Sequence, residues 1–187
     1  MHWAVSSIPA FLGGFCAGVI ANPIDLVYNR QVSDHILPDK IRRNYKSFFD
    51  GIMKAHNEGV LFRGAVAGGL AIGALHASMF NVYDYLKEYG YFFFGPTHWL
   101  RPACLIPTAA FGVVCYLPFD NIRTRMHTMF ELPYGELPYK GTFDAFKKIL
   151  MYECSLTKYS SPIAFLNGGT AAFMKIYMTL IIVFFTR

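Results

Sequence analysis

The chain has 187 residues, of which 54% are hydrophobic, 17% aromatic and only 16% charged, with a formal net charge of +5. Its mean hydropathy is +0.32, outside the range of soluble globular domains, and the balance points to a membrane protein. A nucleic-acid reading would need a basic soluble domain, and none is present; nor do nucleophile, metal or acid–base constellations indicate an enzyme. The six histidines have no ligand spacing, and Cys16, Cys104, Cys115 and Cys154 form no CxxC. The expectation is packed, reduced thiols and no metal site.

Apolar windows span residues 3–28, 64–86, 102–122 and 162–185. Each meets the ~20 residues a helix needs to cross ~30 Å of hydrocarbon. They are continuous runs, whereas barrel strands would alternate. No secretory signal or Arg-rich presequence precedes the first window, so an organellar address would be internal. That window carries Gly13, Gly14 and Gly18, and the second carries Gly64, Gly68 and Gly69. Such small-residue faces let helices approach closely in lipid.

The first window closes on Pro23-Ile24-Asp25-Leu26-Val27-Tyr28-Asn29-Arg30, and a basic loop follows with Tyr45, Lys46, Phe49 and Asp50. Within it, residues 45–57 place Phe48, Phe49, Ile52 and Ala55 on one side, the pattern of a helix lying in the interface plane. The second window ends at Tyr83-Asp84 and Lys87, and the aromatic run Tyr89 to Phe94 with Trp99 then reads as a belt at the bilayer edge. The third window closes on Pro118-Phe119-Asp120-Asn121-Ile122-Arg123-Thr124-Arg125. A second basic loop follows with Tyr139, Lys140, Phe143 and Asp144, and residues 142–152 form a second surface helix with Phe143, Phe146, Ile149 and Leu150 on its apolar side.

The paired prolines lie 95 residues apart and the paired tyrosines 94. A period that long, with the same punctuation, is an internal duplication. It divides the chain into residues 1–95 and 96–187, each a span, a basic loop with a surface helix, and a span. The two basic loops hold thirteen of the seventeen Lys and Arg, which places them on the cytoplasm-equivalent face and both termini on the other.

This unit resembles the mitochondrial carrier family. The resemblance rests on Pro23, Asp25 and Arg30 followed by Glu58-Gly59 and Phe62-Arg63-Gly64, and on Pro118, Asp120, Arg123 and Arg125. With Arg42 to Tyr45 and Tyr83-Asp84 added, the halves are similar to the second and third repeats of dicarboxylate and oxoglutarate carriers. The resemblance implies three repeats in a whole carrier, so the first is expected to be missing here. It implies a matrix-side gate in which Asp25 pairs with Arg123. Asp120 then either awaits a partner from the missing repeat or bonds to neighbouring Arg123 or Arg125. Tyr28 stands where a basic residue is usual. The opposite gate is implied at Tyr83, Asp84 and Lys87, where Asp84 and Lys87 alone would make a helix-end pair. A substrate-binding Arg is implied at the position of Ala71, which cannot hold a carboxylate, while Lys175 keeps a cation in the last span. Lys175 either meets solute or pairs with a neighbouring subunit or lipid. The resemblance further implies cardiolipin, with its phosphates at Phe62-Arg63-Gly64 and Tyr139-Lys140-Gly141; the alternative is a plain basic interface patch.

The expected fold is therefore an all-α membrane protein, carrier-like, with two repeats, four transmembrane helices and two short matrix-side surface helices. It is placed in the mitochondrial inner membrane with both termini toward the intermembrane space. The expected function is a carrier-derived, non-transporting accessory subunit of a larger inner-membrane complex of the respiratory chain, whose other subunits would be its partners. The alternative is a transporter of dicarboxylate-type metabolites that acts as an oligomer. No cofactor is expected beyond structural cardiolipin.

Overall fold

The computed structural model describes residues 2–38, 42–95, 97, 99–130, 137–153 and 168–185. Two long helices begin the chain's two halves: α1 (His2–Asp34) and α4 (Leu100–Thr128). The short helix α2 (Phe48–Asn57) leads into α3 (Ala65–Phe94). The short helix α5 (Thr142–Lys148) runs into one π-helical turn (Ile149–Glu153), and α6 (Gly169–Phe185) completes the described elements. Long, short, long is thus the order in each half.

Three stretches, Ser7–Asp34, Ala65–Phe94 and Leu100–Thr128, are long and apolar enough to cross a membrane. The fourth expected span corresponds to α6, whose 17 residues rise about 25 Å, short of the ~30 Å hydrocarbon core. Its expected first residues, 162–167, lie outside the described residues, as does Cys154. Cys16 is exposed and Cys104 buried, and both are free thiols, as is Cys115. The helices pack in a row, with α1 against α3, α3 against α4 and α4 against α6.

The tightest seam is between α1 and α3, and glycine explains it. A Cβ built on Gly18 would lie 2.7 Å from the Gly68 carbonyl oxygen and 2.9 Å from the Gly69 Cα. One on Gly14 would lie 2.8 Å from the Ile72 oxygen, and one on Gly73 3.0 Å from the Phe11 oxygen. The two backbones therefore touch, as small-residue faces allow. Membership of the face differs from expectation: Gly13 meets nothing within 4 Å, Gly68 touches Gly18 through its carbonyl while its Cβ position faces Arg123, and Gly73 joins. Gly64 adopts φ +79 just before α3, a left-handed conformation that favours glycine.

Each surface helix turns part of its expected apolar side inward, Ala55 with Phe48 and Ile52 packed beside it in α2 and Ile149 after α5, and leaves the rest outward. In α2, Ala55 is buried with Leu26, Val27 and Val60, while Phe49 is 76% exposed. In α5 and the π turn, Ala145 and Ile149 are buried with Ala67, Ile122 and Met126, whereas Phe143, Phe146 and Leu150 are exposed. Small residues let each short helix lie close to its long neighbour, which leaves the outward large apolar groups for the surrounding lipid.

The duplication reaches atomic detail. The Asp50 carboxylate accepts from the Lys46 backbone N–H at 3.1 Å and pairs with Lys54 at 3.0 Å. Ninety-four residues on, Asp144 accepts from the Lys140 N–H at 3.0 Å and pairs with Lys148 at 2.9 Å. Each Asp thus closes the first turn of its helix in the manner of a capping box and favours the N-terminal end of the dipole. Bonding to the neighbouring lysines holds both carboxyls below the usual carboxylate range.

Candidate functional site

The charges of the two proline-marked stretches meet at one end of the row. Pro23 and Pro118 both lie inside their helices. A proline there removes one backbone bond and relaxes the ladder. Two residues after Pro23, Asp25 accepts from the Arg123 guanidinium and forms an ion pair between the two halves of the chain. Asp120 stands 3.7 Å from the same guanidinium, on the same helix. Within this chain Asp120 thus meets the charge of neighbouring Arg123, at a distance too long for a hydrogen bond. The Arg123 side chain lies against Gly68, where a Cβ would be 3.2 Å from its Cδ. Arg123 is thus lodged at the meeting of α1, α3 and α4, with its Nε buried and without a hydrogen-bond partner among the described residues.

One turn further along, a neutral network repeats the link. His127 is fully buried. Its Nδ1 is 2.9 Å from Asn29 Nδ2, and its Nε2 is 3.1 Å from Asn22 Oδ1. Asn22 spends its own amide on the Leu61 and Arg63 carbonyls, at 2.8 and 3.3 Å. Its oxygen therefore accepts from the ring, which assigns the Nε2–H tautomer and leaves Nδ1 to accept from Asn29. Arg30, 1% exposed, donates from Nε to the His127 carbonyl at 3.1 Å and pairs with Glu58 at 2.9 Å. The motif residues Arg30 and Glu58 thus join α1 to the end of α2. In the loop between, Arg43 stacks over Phe130 at 4.0 Å, and burial beside Arg30 holds its guanidinium below the usual arginine range.

The sequence reading did not find His127, Asn22 or Asn29. A signal for two of them existed: Asn29 follows Asp25, and His127 follows Arg123, by one helical turn, so each shares the face of a residue already singled out. Nothing comparable marks Asn22.

Other expected site residues are placed as follows. Phe62, Arg63 and Gly64 line one cleft of about 630 Å³ together with Tyr139, Lys140 and Gly141. Gly141 has an extended backbone, and a Cβ on it would meet nothing within 4 Å, so neither conformation nor packing calls for glycine there. Asp84 is exposed and makes no ion pair with Lys87 among the described residues, contrary to the helix-end pair expected; Lys87 lies 5.8 Å from the Tyr91 ring instead. Ala71 is fully buried. Lys175 is exposed on α6, without an ion pair among the described residues.

Helices that touch through glycine, a proline-marked charge pair between two similar halves, and a short helix packed at the end of the long helices in each half define a repeat-built α-helical membrane protein. Residues 1–92 match the family model described as mitochondrial carrier protein. The chain belongs to the mitochondrial carrier family. A macronuclear solute carrier homolog from Oxytricha trifallax is 49% identical over 168 residues, 89% of this chain and 45% of the relative. A probable mitochondrial 2-oxoglutarate/malate carrier protein from Dictyostelium discoideum is 35% identical over 76% of this chain and 46% of its own length. A mitochondrial dicarboxylate carrier from Caenorhabditis elegans is 30% identical over 95% of this chain and 60% of its own length. The chain thus spans about half the length of the curated relatives it matches. Relatives named as carriers favour transport over the accessory-subunit expectation, and nothing among them points to a respiratory complex.

Proposed function

We propose that this chain forms the gate-bearing part of a mitochondrial inner-membrane solute carrier whose cargo is a small dicarboxylate, with both termini toward the intermembrane space. The observation that carries this reading is the Asp25–Arg123 pair. It joins helices of different halves at one end of the row, beside the two prolines, and a link that is broken and remade is what alternating access between two sides requires. The cargo class comes from the relatives named for 2-oxoglutarate, malate and dicarboxylates.

Ala71 takes no part in binding cargo; the cation for a carboxylate is Lys175. An exposed Lys on an apolar helix is costly in lipid and is kept where an anion or water meets it. The cleft around Arg63 and Lys140 holds a cardiolipin phosphate. Gly141 supports this, because a glycine that the fold does not need leaves room for a ligand to reach the backbone. The test is exchange of radiolabelled malate or 2-oxoglutarate by the protein in cardiolipin-containing liposomes. Exchange that is lost on Lys175→Ala, with thermal stability retained, supports the reading. A folded protein that exchanges neither compound and migrates with a large complex overturns it in favour of the subunit.

A further inference from the structure

The last turn of α1 ends on a carboxylate without a hydrogen bond among the described residues. Asp34 is 8% exposed, and neither of its carboxylate oxygens has a hydrogen-bond partner among the described residues. Its position is unfavourable twice over. It is a buried anion, and it sits at a helix C-terminus, where the carbonyl ends of the dipole already concentrate negative charge. Arg43 lies near enough to feel this charge; its Nη2 donates to the Met129 carbonyl at 3.2 Å and its face is stacked on Phe130, while its Nη1 is likewise buried and makes no hydrogen bond to Asp34.

Asp34 lines a cleft of about 290 Å³, which it shares with Gln31, His35, Arg42, Asn44 and Lys46. The charges of this lining decide what fits. A bare cation would satisfy Asp34 but would sit among Arg42 and Lys46. A bare anion would suit those two and leave Asp34 as it is. A ligand carrying both signs, a short distance apart, satisfies the whole lining.

We propose that the cleft at the end of α1 binds a zwitterion, with a primary ammonium donating to Asp34 and an adjacent phosphate or carboxylate held by Lys46; Arg42, whose Nε donates to the Leu37 carbonyl at 2.8 Å, adds only its positive charge to the lining. A primary ammonium has three N–H donors for the two orphaned oxygens; a quaternary ammonium has none. This chemistry is offered by an ethanolamine phospholipid headgroup, or by a free amino acid or phosphoethanolamine. The site is separate from the cleft at Arg63 and Lys140 and does not depend on transport.

The test uses the whole protein in phosphatidylcholine nanodiscs, with thermal unfolding as readout. In one arm phosphatidylethanolamine replaces part of the lipid; in the other, O-phosphoethanolamine or glycine is titrated into choline-only discs. The expected result is a rise in Tm in at least one arm, with the ethanolamine-lipid arm alone identifying a headgroup and the soluble arm identifying a free ligand. Asp34→Asn, which removes an unpaired carboxylate and so folds at least as well, abolishes the rise. Lys46→Gln weakens the apparent affinity about tenfold. No rise in either arm, or a rise that survives both substitutions, overturns the proposal.

Discussion

Gly18→Ala is the sharpest test of how α1 and α3 are joined. The new methyl carbon would stand 2.7 Å from the Gly68 oxygen, 2.9 Å from the Gly68 carbonyl carbon and 2.9 Å from the Gly69 Cα. All three are backbone atoms of the opposing helix, so no side chain can swing aside. The helices must part, and a gap of about 0.5–1 Å forfeits a quarter to a half of the dispersion energy along the seam. Overpacking of this kind costs about 1–3 kcal/mol. Against it stands the helix preference for Ala over Gly, about 1 kcal/mol. Gly13→Ala supplies the control, since that methyl meets nothing within 4 Å and keeps the propensity gain undiminished. The two variants, differing only by five positions on one helix, should therefore separate by about 1–3 kcal/mol, with Gly18→Ala the less stable. Thermal or denaturant unfolding in one detergent reads the difference. Equal stability of the two would show that the helices do not meet through Gly18, and the packing described for this seam would be wrong.

Asp25→Asn should destabilise by about 1–3 kcal/mol, less than for a fully buried pair because the Asp25 side chain is 37% exposed; exchanging the charges as Asp25→Arg with Arg123→Asp should recover part of this in a double-mutant cycle. His127→Ala should cost about 1–3 kcal/mol for each amide it leaves unpaired, and His127→Gln less, by the same unfolding measurement. Acid should loosen α2 and α5 together. Their Asp50 and Asp144 carboxyls are held below the usual range, so the stability they add is complete above the unfolded value of about 4 and is lost as pH falls through the lower folded value. Hydrogen exchange at Gly51 and Ala145, corrected for intrinsic rate, should rise over that window, and Asp50→Asn should abolish the change in α2 alone.

Much of this architecture was legible because lipid imposes long apolar windows and because the chain states its unit twice. The Asp25–Arg123 link could be read from the resemblance, and the pairing of Arg63 with Lys140 around one cleft followed from the two aromatic–basic–Gly motifs. The inward faces of the surface helices were legible in part. Apolarity picked Ala55 and Ile149, which are buried, with Phe48 and Ile52 packed beside Ala55, but it also picked Phe49 and Phe143, which beside lipid turn outward, and passed over Ala145, which is buried. His127 was hidden for a different reason. A lone histidine carries no spacing, and its role appears only when Asn22 and Asn29 of another helix are brought to it. Lys87 illustrates a third limit, since the distance along a helix that permits a pair with Asp84 equally permits the Tyr91 ring.

The seams of the helix row are unlike in a way that bears on motion. Between α1 and α3 backbone touches backbone, and such a joint has no slack in which to slide. Between α3 and α4 the space beside Gly112 is filled by Met79 and Leu75, long side chains that change rotamer readily. A sliding displacement would therefore meet more resistance between α1 and α3 than beside Gly112. The Asp25–Arg123 contact crosses the plane between α3 and α4 from one side to the other. With the Asn22, Asn29 and Arg30 bonds to His127, it ties α1 to α4 across that plane, and any such displacement would have to break these links.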